Sequence, residues 1–139
     1  MNVFSLSALI SFFLLVPLVG CGNSSTPRES VSGTVTLEGQ PLVDGSILFS
    51  PQGDGPSAGG EIVNGQYTLA RELGPAPGKY RVEISSWRST GKSIYDAASE
   101  REEETLVSVI PPRYNSRSEL QVEIEPGKEN RFDFELMPK

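Results

Sequence analysis

Glu61-Ile62-Val63-Asn64-Gly65-Gln66-Tyr67-Thr68-Leu69 decides the fold class. Two short β-prone runs flank Asn64-Gly65, and a two-residue type I′ turn needs positive φ at both central positions, which Asn and Gly tolerate best. The stretch therefore reads as a β-hairpin. Outward from it the same grammar repeats. Upstream, Ile47, Leu48 and Phe49 form a run from Ser46 to Ser50 behind the turn-prone Asp44-Gly45, and Val31, Gly33, Val35 and Leu37 alternate with Ser32, Thr34 and Thr36. Downstream, Pro77-Gly78 opens a strand with Tyr80, Val82 and Ile84 on one parity and Arg81 and Glu83 on the other. Leu120, Val122 and Ile124 alternate with Gln121, Glu123 and Glu125, and Pro126-Gly127 turns the chain into Phe132, Phe134 and Leu136. Period-2 alternation is the mark of a strand with one buried face.

Seven or eight such strands separated by turn signals, with no helical periodicity after Leu18, predict an all-β fold: a single antiparallel β-sandwich of about seven strands. The roughly 110 residues from Val31 to Lys139 suffice for one modest core and not for two. Pro51 to Gly60, rich in Gly and Pro, is expected to be a surface loop, and the regular final strand is expected to be pinned in a sheet.

Val31-x-Gly33-x-Val35, Gly39-x-Pro41-Leu42, Gly45-x-Ile47-x-Phe49, Gly65-x-Tyr67-x-Leu69 and Gly78-x-Tyr80-x-Val82-x-Ile84 occur in the order seen in carboxypeptidase regulatory-like domains, which this part of the chain resembles. The resemblance implies a transthyretin-like (prealbumin-like) sandwich, with Leu120 to Leu136 as its last strands, acting as an accessory, non-catalytic domain of an exported protein.

The N-terminus carries an address. Val3 to Val19 is an almost unbroken apolar run, and no charged side chain precedes Arg28. It is short for a membrane span, which takes about 20 apolar residues, and reads as a secretory signal helix. Leu18-Val19-Gly20-Cys21 resembles the lipobox of bacterial lipoproteins at all four positions, although Met1-Asn2 lacks the Lys or Arg usual there. That resemblance implies cleavage between Gly20 and Cys21 and acylation of Cys21, the one cysteine of the chain. The expected organisation is a signal peptide over 1–20, a lipidated polar tether over 21–30 and a sandwich over 31–139. The tether reaches about 30 Å fully extended and averages about 15–18 Å when flexible. A multiply acylated cysteine anchors stably, so the expected location is the cell envelope outside the cytoplasm. Gly22, where retained lipoproteins often carry Asp, resembles the pattern for delivery to an outer membrane.

With 18 acidic and 12 basic residues the net charge is −6, which disfavours nucleic acid and anionic lipid as partners of the protein surface. The membrane is then met through the Cys21 lipid alone. An unidentified envelope protein or polymer is the expected partner, with the oligomeric state left open. The chain has no histidine, so neither a Ser-His-Asp nor a Cys-His site can be assembled, and the usual zinc ligand sets are absent. Transthyretin-like hydrolases of a purine-breakdown intermediate rely on histidines, so the resemblance does not carry that activity here. Paired carboxylates are the one catalytic set left, but most acids fall on solvated strand parities. No EF-hand loop pattern occurs, and the cluster Glu100, Glu102, Glu103, Glu104 reads as a solvated charged segment. No enzyme activity, cofactor or metal is expected.

The connection from Arg88 to Thr105 is longer than a sandwich turn requires, and Ile94 to Ala98 within it has room for a turn or two of helix. Trp87 precedes it on the polar parity of its strand. Either the long loop folds back over Trp87, or Trp87 is bare and stacks on a ligand; covering is the expectation, since large aromatics are rarely left exposed. Arg113 and Tyr114 follow Pro111-Pro112 at a strand end, where Tyr114 packing over the sandwich edge competes with a recognition role. Trp87, Tyr95, Arg113 and Tyr114 together form the candidate binding edge, with a carbohydrate-binding module as the alternative function and a carboxylate-based hydrolase as a third.

Overall fold

The computed structural model describes residues 26–138; the signal helix, Gly20 and Cys21 lie outside the described residues. Eleven strands follow one another: β1 (Val31–Leu37), β2 (Gln40–Pro41), β3 (Asp44–Pro51), β4 (Ala58–Val63), β5 (Gln66–Leu69), β6 (Gly78–Ser85), β7 (Trp87–Asp96), β8 (Arg101–Ser108), β9 (Gln121–Ile124), β10 (Asn130–Arg131) and β11 (Phe134–Leu136), with a short 3-10 helix at Pro112–Tyr114 between β8 and β9. The main sheet runs β10-β1-β5-β4-β3-β6-β9, with β2 and β11 also on β1, and β7 pairs with β8 alone. The molecule is an all-β, predominantly antiparallel sandwich whose curled sheet closes on one core.

The alternation expected from the sequence is the alternation that is buried. Val31, Val35, Ile47, Phe49, Ile62, Tyr67, Leu69, Tyr80, Val82, Ile84, Ile124 and Leu136 all face the interior. Asn64 and Gly65 sit at φ 51° and 76°, the backbone that a type I′ turn demands. The Pro51 to Gly60 loop is shorter than expected, because β3 runs to Pro51 and β4 begins at Ala58, the two strands pairing from Asp44↔Val63 to Phe49↔Ala58.

The C-terminal strand differs from the antiparallel expectation: β10 and β11 both pair parallel to β1, at Val31↔Asn130 and Val35↔Phe134. Side-chain alternation reports which face is buried and not which way the neighbour runs. Between these two strands Phe132 and Asp133 leave the regular ladder. Asp133 Oδ1 accepts from both the backbone N–H and the hydroxyl of Thr34, each at 2.8 Å, so a carboxylate stands where a strand carbonyl would. Those bonds, the hydroxyl's first, hold the Asp133 carboxyl below its ordinary range.

Tyr67 locks the same junction from inside, its hydroxyl donating to Phe132 O at 2.7 Å. Burial, reinforced by the Asp133 charge, pushes the Tyr67 hydroxyl well above its ordinary range. A raised folded-state value means that the unfolded chain gives up this proton first, so its contribution is complete below pH ~10 and declines as pH rises further. Tyr67→Phe is expected to cost about 1 kcal/mol at neutral pH and to remove one proton's worth of alkaline destabilisation, as denaturant titrations at pH 7 and above pH 10 would show. Unchanged alkaline behaviour in the variant would place the titration elsewhere.

The chain joins the body before β1 begins. Arg28 Nη1 donates to Gly74 O at 2.9 Å and the Glu29 N–H to Pro75 O at 2.9 Å. The buried Glu29 carboxylate accepts from the Gly127 N–H at 3.2 Å and pairs with Arg71 at 3.2 Å. Thr26 lies in a cleft with Pro51, Pro56, Ala76 and Gly78, so the chain enters the sandwich at the end where β6 starts.

Candidate functional site

The segment from Trp87 to Ser108 is neither a covering loop nor partly helical, as the sequence suggested; it is a hairpin of two long strands. Its register runs from Trp87↔Ser108 and Ser89↔Leu106 to Tyr95↔Glu102 and Asp96↔Arg101, with an irregularity between Ser89 and Ser93. Side chains along both strands are solvent-exposed on both faces, and without a buried face there is no selection for alternation, so the sequence carries no strand pattern here.

Local bonds hold its shape. At the tip, Asp96 accepts from the Ala98 N–H at 2.9 Å and the Ser99 hydroxyl at 2.8 Å, and these bonds, Ala98's first, keep the Asp96 carboxyl below its ordinary range. At the irregularity Gly91 takes φ 70°, a left-handed backbone that glycine adopts without strain. The Gly91 N–H donates to Ser89 Oγ at 2.9 Å, the Lys92 N–H to Thr90 Oγ1 at 3.3 Å, and Thr90 Oγ1 to Thr105 O at 3.0 Å. At the root the ladder continues in the Val109 N–H bond to Ser86 O at 3.1 Å, with Ser86 buried.

Residues paired directly across an antiparallel ladder share a face. The register therefore puts Trp87, Ser89, Ser93 and Tyr95 with Glu102, Glu104, Leu106 and Ser108 on one face of the hairpin. The hydrogen bond from Ser89 to Glu104 lies on this face. Arg88, Ile94, Arg101, Glu103 and Val107 occupy the other. Trp87 is 57% and Tyr95 65% exposed, and Ile94, Leu106 and Val107 are exposed as well. The expected covering of Trp87 does not occur, because the segment that was to fold over it extends outward as strands.

Trp87 stands at the root between two shallow clefts. One is shared with Glu83, Ser85, Ser108, Ile110, Pro112 and Asn115, the other with Asp44, Ser46, Glu61, Val63 and Ser86. Their walls offer hydroxyls, an amide and the carboxylates of Glu83, Asp44 and Glu61. Among the described residues no group of three or more His, Cys, Asp or Glu could hold a metal ion.

Arg113 and Tyr114 are placed differently from Trp87 and Tyr95. They lie on the 3-10 helix, where Arg113 Nη2 donates to Met137 O at 2.6 Å and sits 4.8 Å from the Tyr114 ring centroid. Tyr114 Oη accepts from the Met137 N–H at 3.2 Å while its ring packs against the core. The pair thus clasps the chain leaving β11. Of the four residues of the candidate edge, Trp87 and Tyr95 share one hairpin face, the first at its root and the second near its tip; Pro112 and Asn115, neighbours of Arg113 and Tyr114, border the Trp87 cleft instead.

No protein-family model and no curated protein sequence matches the chain. Among solved structures it is similar to a 9R-lipoxygenase from Cyanothece PCC8801, at 11% identity and a TM-score of 0.37 over 81% of this chain and 16% of that one. It is also similar to a candidate adhesin from Bacteroides ovatus, at 16% identity and a TM-score of 0.40 over 80% of this chain and 44% of that one. The chain therefore spans less than half the length of either. Among the described residues no helix is long and apolar enough to cross a membrane.

Proposed function

We propose that the chain is a lipid-anchored, non-catalytic module of the cell envelope that holds a partner protein through the β7–β8 hairpin. The observation that carries this reading is the hairpin itself, two strands with no third strand and no covering layer among the described residues, displaying Trp87, Ile94, Tyr95, Leu106 and Val107 to solvent. An isolated two-stranded hairpin is at best marginal in water, and clustered exposed apolar side chains mark interaction surfaces. The lipobox-like Leu18-Val19-Gly20-Cys21 supplies the anchor, and the absence of histidine from the whole sequence supports a binding role over an acyl-transfer one.

The arrangement of the two ends supports the same reading. The chain enters beside Gly78 at the start of β6, and the hairpin leaves beside Ser85 at its finish. The strand between them spans about 23 Å at ~3.3 Å per residue, so an anchor on Cys21 would hold one end of the sandwich and turn the hairpin root away from the lipid. A carbohydrate ligand is the second reading, favoured by the hydroxyl and amide groups of Ser85, Ser108 and Asn115 around Trp87.

Intact mass of the membrane-extracted protein is expected to give an acylated species beginning at Cys21, absent in Cys21→Ser. A photo-reactive phenylalanine at position 95 is expected to form a discrete protein adduct in intact cells, and one at position 68, on the outer face of β5, is not. Equal labelling from both positions would sink the hairpin reading. An unmodified mass retaining residues 1–20 would remove the lipid anchor.

A further inference from the structure

We infer that β8 is an acceptor for strand addition: a cationic, extended segment of a partner protein pairs along its free edge and turns the two-stranded hairpin into a three-stranded sheet. The inference rests on the hairpin reading above and names what occupies it.

Among the described residues each strand of the hairpin has one unpaired edge, and an unpaired edge is a row of backbone donors and acceptors ready to template another chain. The two edges are not equivalent. That of β7 is broken midway, where Gly91 turns left-handed and the Gly91 and Lys92 N–H groups are spent on Ser89 and Thr90. β8 runs from Arg101 to Ser108 with no left-handed residue inside it, long enough for a typical strand to pair along it. Main-chain bonds at such an edge provide affinity, and alternate side chains provide selectivity.

The side chains specify the occupant. Glu102, Glu103 and Glu104 follow one another, and none joins a salt bridge among the described residues. Leu106 and Val107 come next, one on each face, with Trp87 and Tyr95 on the Leu106 side. A fitting strand carries Lys or Arg against the three glutamates and aliphatic residues against Leu106 and Val107. A second copy fits poorly. In-register parallel pairing would set each glutamate against its equivalent, and antiparallel pairing about Glu103 would set Glu102 against Glu104, and like charges directly opposite are destabilising. Charge on an edge strand also guards against self-pairing, but a guard has no use for exposed Trp87, Tyr95, Leu106 and Val107 beside it.

The probe is an eight-residue peptide, Ser-Val-Ile-Thr-Lys-Lys-Lys-Glu, written so that antiparallel pairing opposes every charge of β8. Its comparators are the charge-reversed Ser-Val-Ile-Thr-Glu-Glu-Glu-Lys and the cationic peptide methylated on the alternate backbone nitrogens that face β8. Trp87 is the one tryptophan of the chain and stands across β8 from the free edge, so its emission reports changes at the hairpin root, and amide exchange over Arg101–Ser108 reports pairing. With the full protein in detergent, the cationic peptide is expected to shift Trp87 emission to the blue, to slow exchange along β8, and to bind at least about tenfold more tightly than its charge-reversed form. N-methylation is expected to abolish both signals, and Glu102→Lys with Glu104→Lys to invert the charge preference.

Equal binding of the methylated peptide, or slowed exchange confined to other strands, would overturn strand addition. Protection of β8 that appears without peptide as the protein is concentrated would make a second copy the occupant. A Trp87 shift with phosphatidylcholine vesicles and none with peptide would make it a lipid surface, and either result overturns the proposal. Should position 95 cross-link in cells while the cationic peptide fails, strand addition falls and the hairpin reading stands; loss of the cross-link removes the hairpin reading itself.

Discussion

Gly33→Ala is expected to cost about 3–5 kcal/mol of stability, although it adds one methyl group. Gly33 needs space, not backbone freedom. A Cβ built there would lie 1.8 Å from Phe132 O and 2.9 Å from the Tyr67 hydroxyl, and contacts below 3.0 Å are not tolerated against backbone. The Phe132 carbonyl cannot simply swing away. It accepts the Tyr67 hydrogen bond, and the Phe132 N–H donates to Ser32 O at 3.0 Å. Making room therefore moves β10 and β11 off β1, strips two hydrogen bonds of about 1 kcal/mol each, and adds the strain of overpacking at about 1–3 kcal/mol. The expected loss of about 3–5 kcal/mol is a large part of the ~5–15 kcal/mol that holds a domain together. Thermal unfolding with the same substitution at Gly53, where a Cβ meets nothing within 4 Å, is the control, expected to stay within about 1 kcal/mol of the parent. Near-parental stability of Gly33→Ala would mean that the C-terminal strand is not seated against β1 as described.

The sheet was legible where a side chain's fate depends on one face being buried. Ile62 against Glu61 and Val63, or Tyr80, Val82 and Ile84 against Arg81 and Glu83, have opposite exposures because the core lies on one side, and Asn64-Gly65 names its turn by its own conformational preference. The same logic was silent from Trp87 to Ser108, where no side faces a core and strand residues carry no pattern. Trp87 illustrates the division. Its outward parity followed from Tyr80, Val82 and Ile84, but its exposure depended on what the next twenty residues do, and those are held by the Asp96 tip bonds and the Gly91 bulge. Arg113 and Tyr114 fail for a related reason: adjacency in sequence to the long segment says nothing of Met137, whose backbone claims both side chains. The parallel course of β10 and β11 was hidden too, since alternation is the same in either direction.

Excising the hairpin, by joining Ser86 to Val109 through Asn-Gly, is expected to leave the sandwich folded and to abolish capture of the cationic peptide. The join is geometrically mild, because Val109 N and Ser86 O are already hydrogen-bonded at 3.1 Å, and a two-residue Asn-Gly link suits a tight antiparallel turn. No residue from Trp87 to Ser108 belongs to the core or packs against it, so the deletion removes almost no buried apolar area. A two-stranded arm contributes little stability of its own, and shortening a connection of roughly twenty residues recovers up to about 2 kcal/mol of closure entropy if the arm is flexible when free. Thermal unfolding should therefore shift by no more than a few degrees, in either direction. A fall in Tm well beyond 5 °C would show that the hairpin supports the sheet, and its exposed aromatics would then need no partner to explain them. Unchanged stability together with lost capture would separate the two roles cleanly. The core from Val31 to Leu136 would be a stand, and the arm carrying Trp87, Tyr95 and the β8 edge would be the part selected for what it holds.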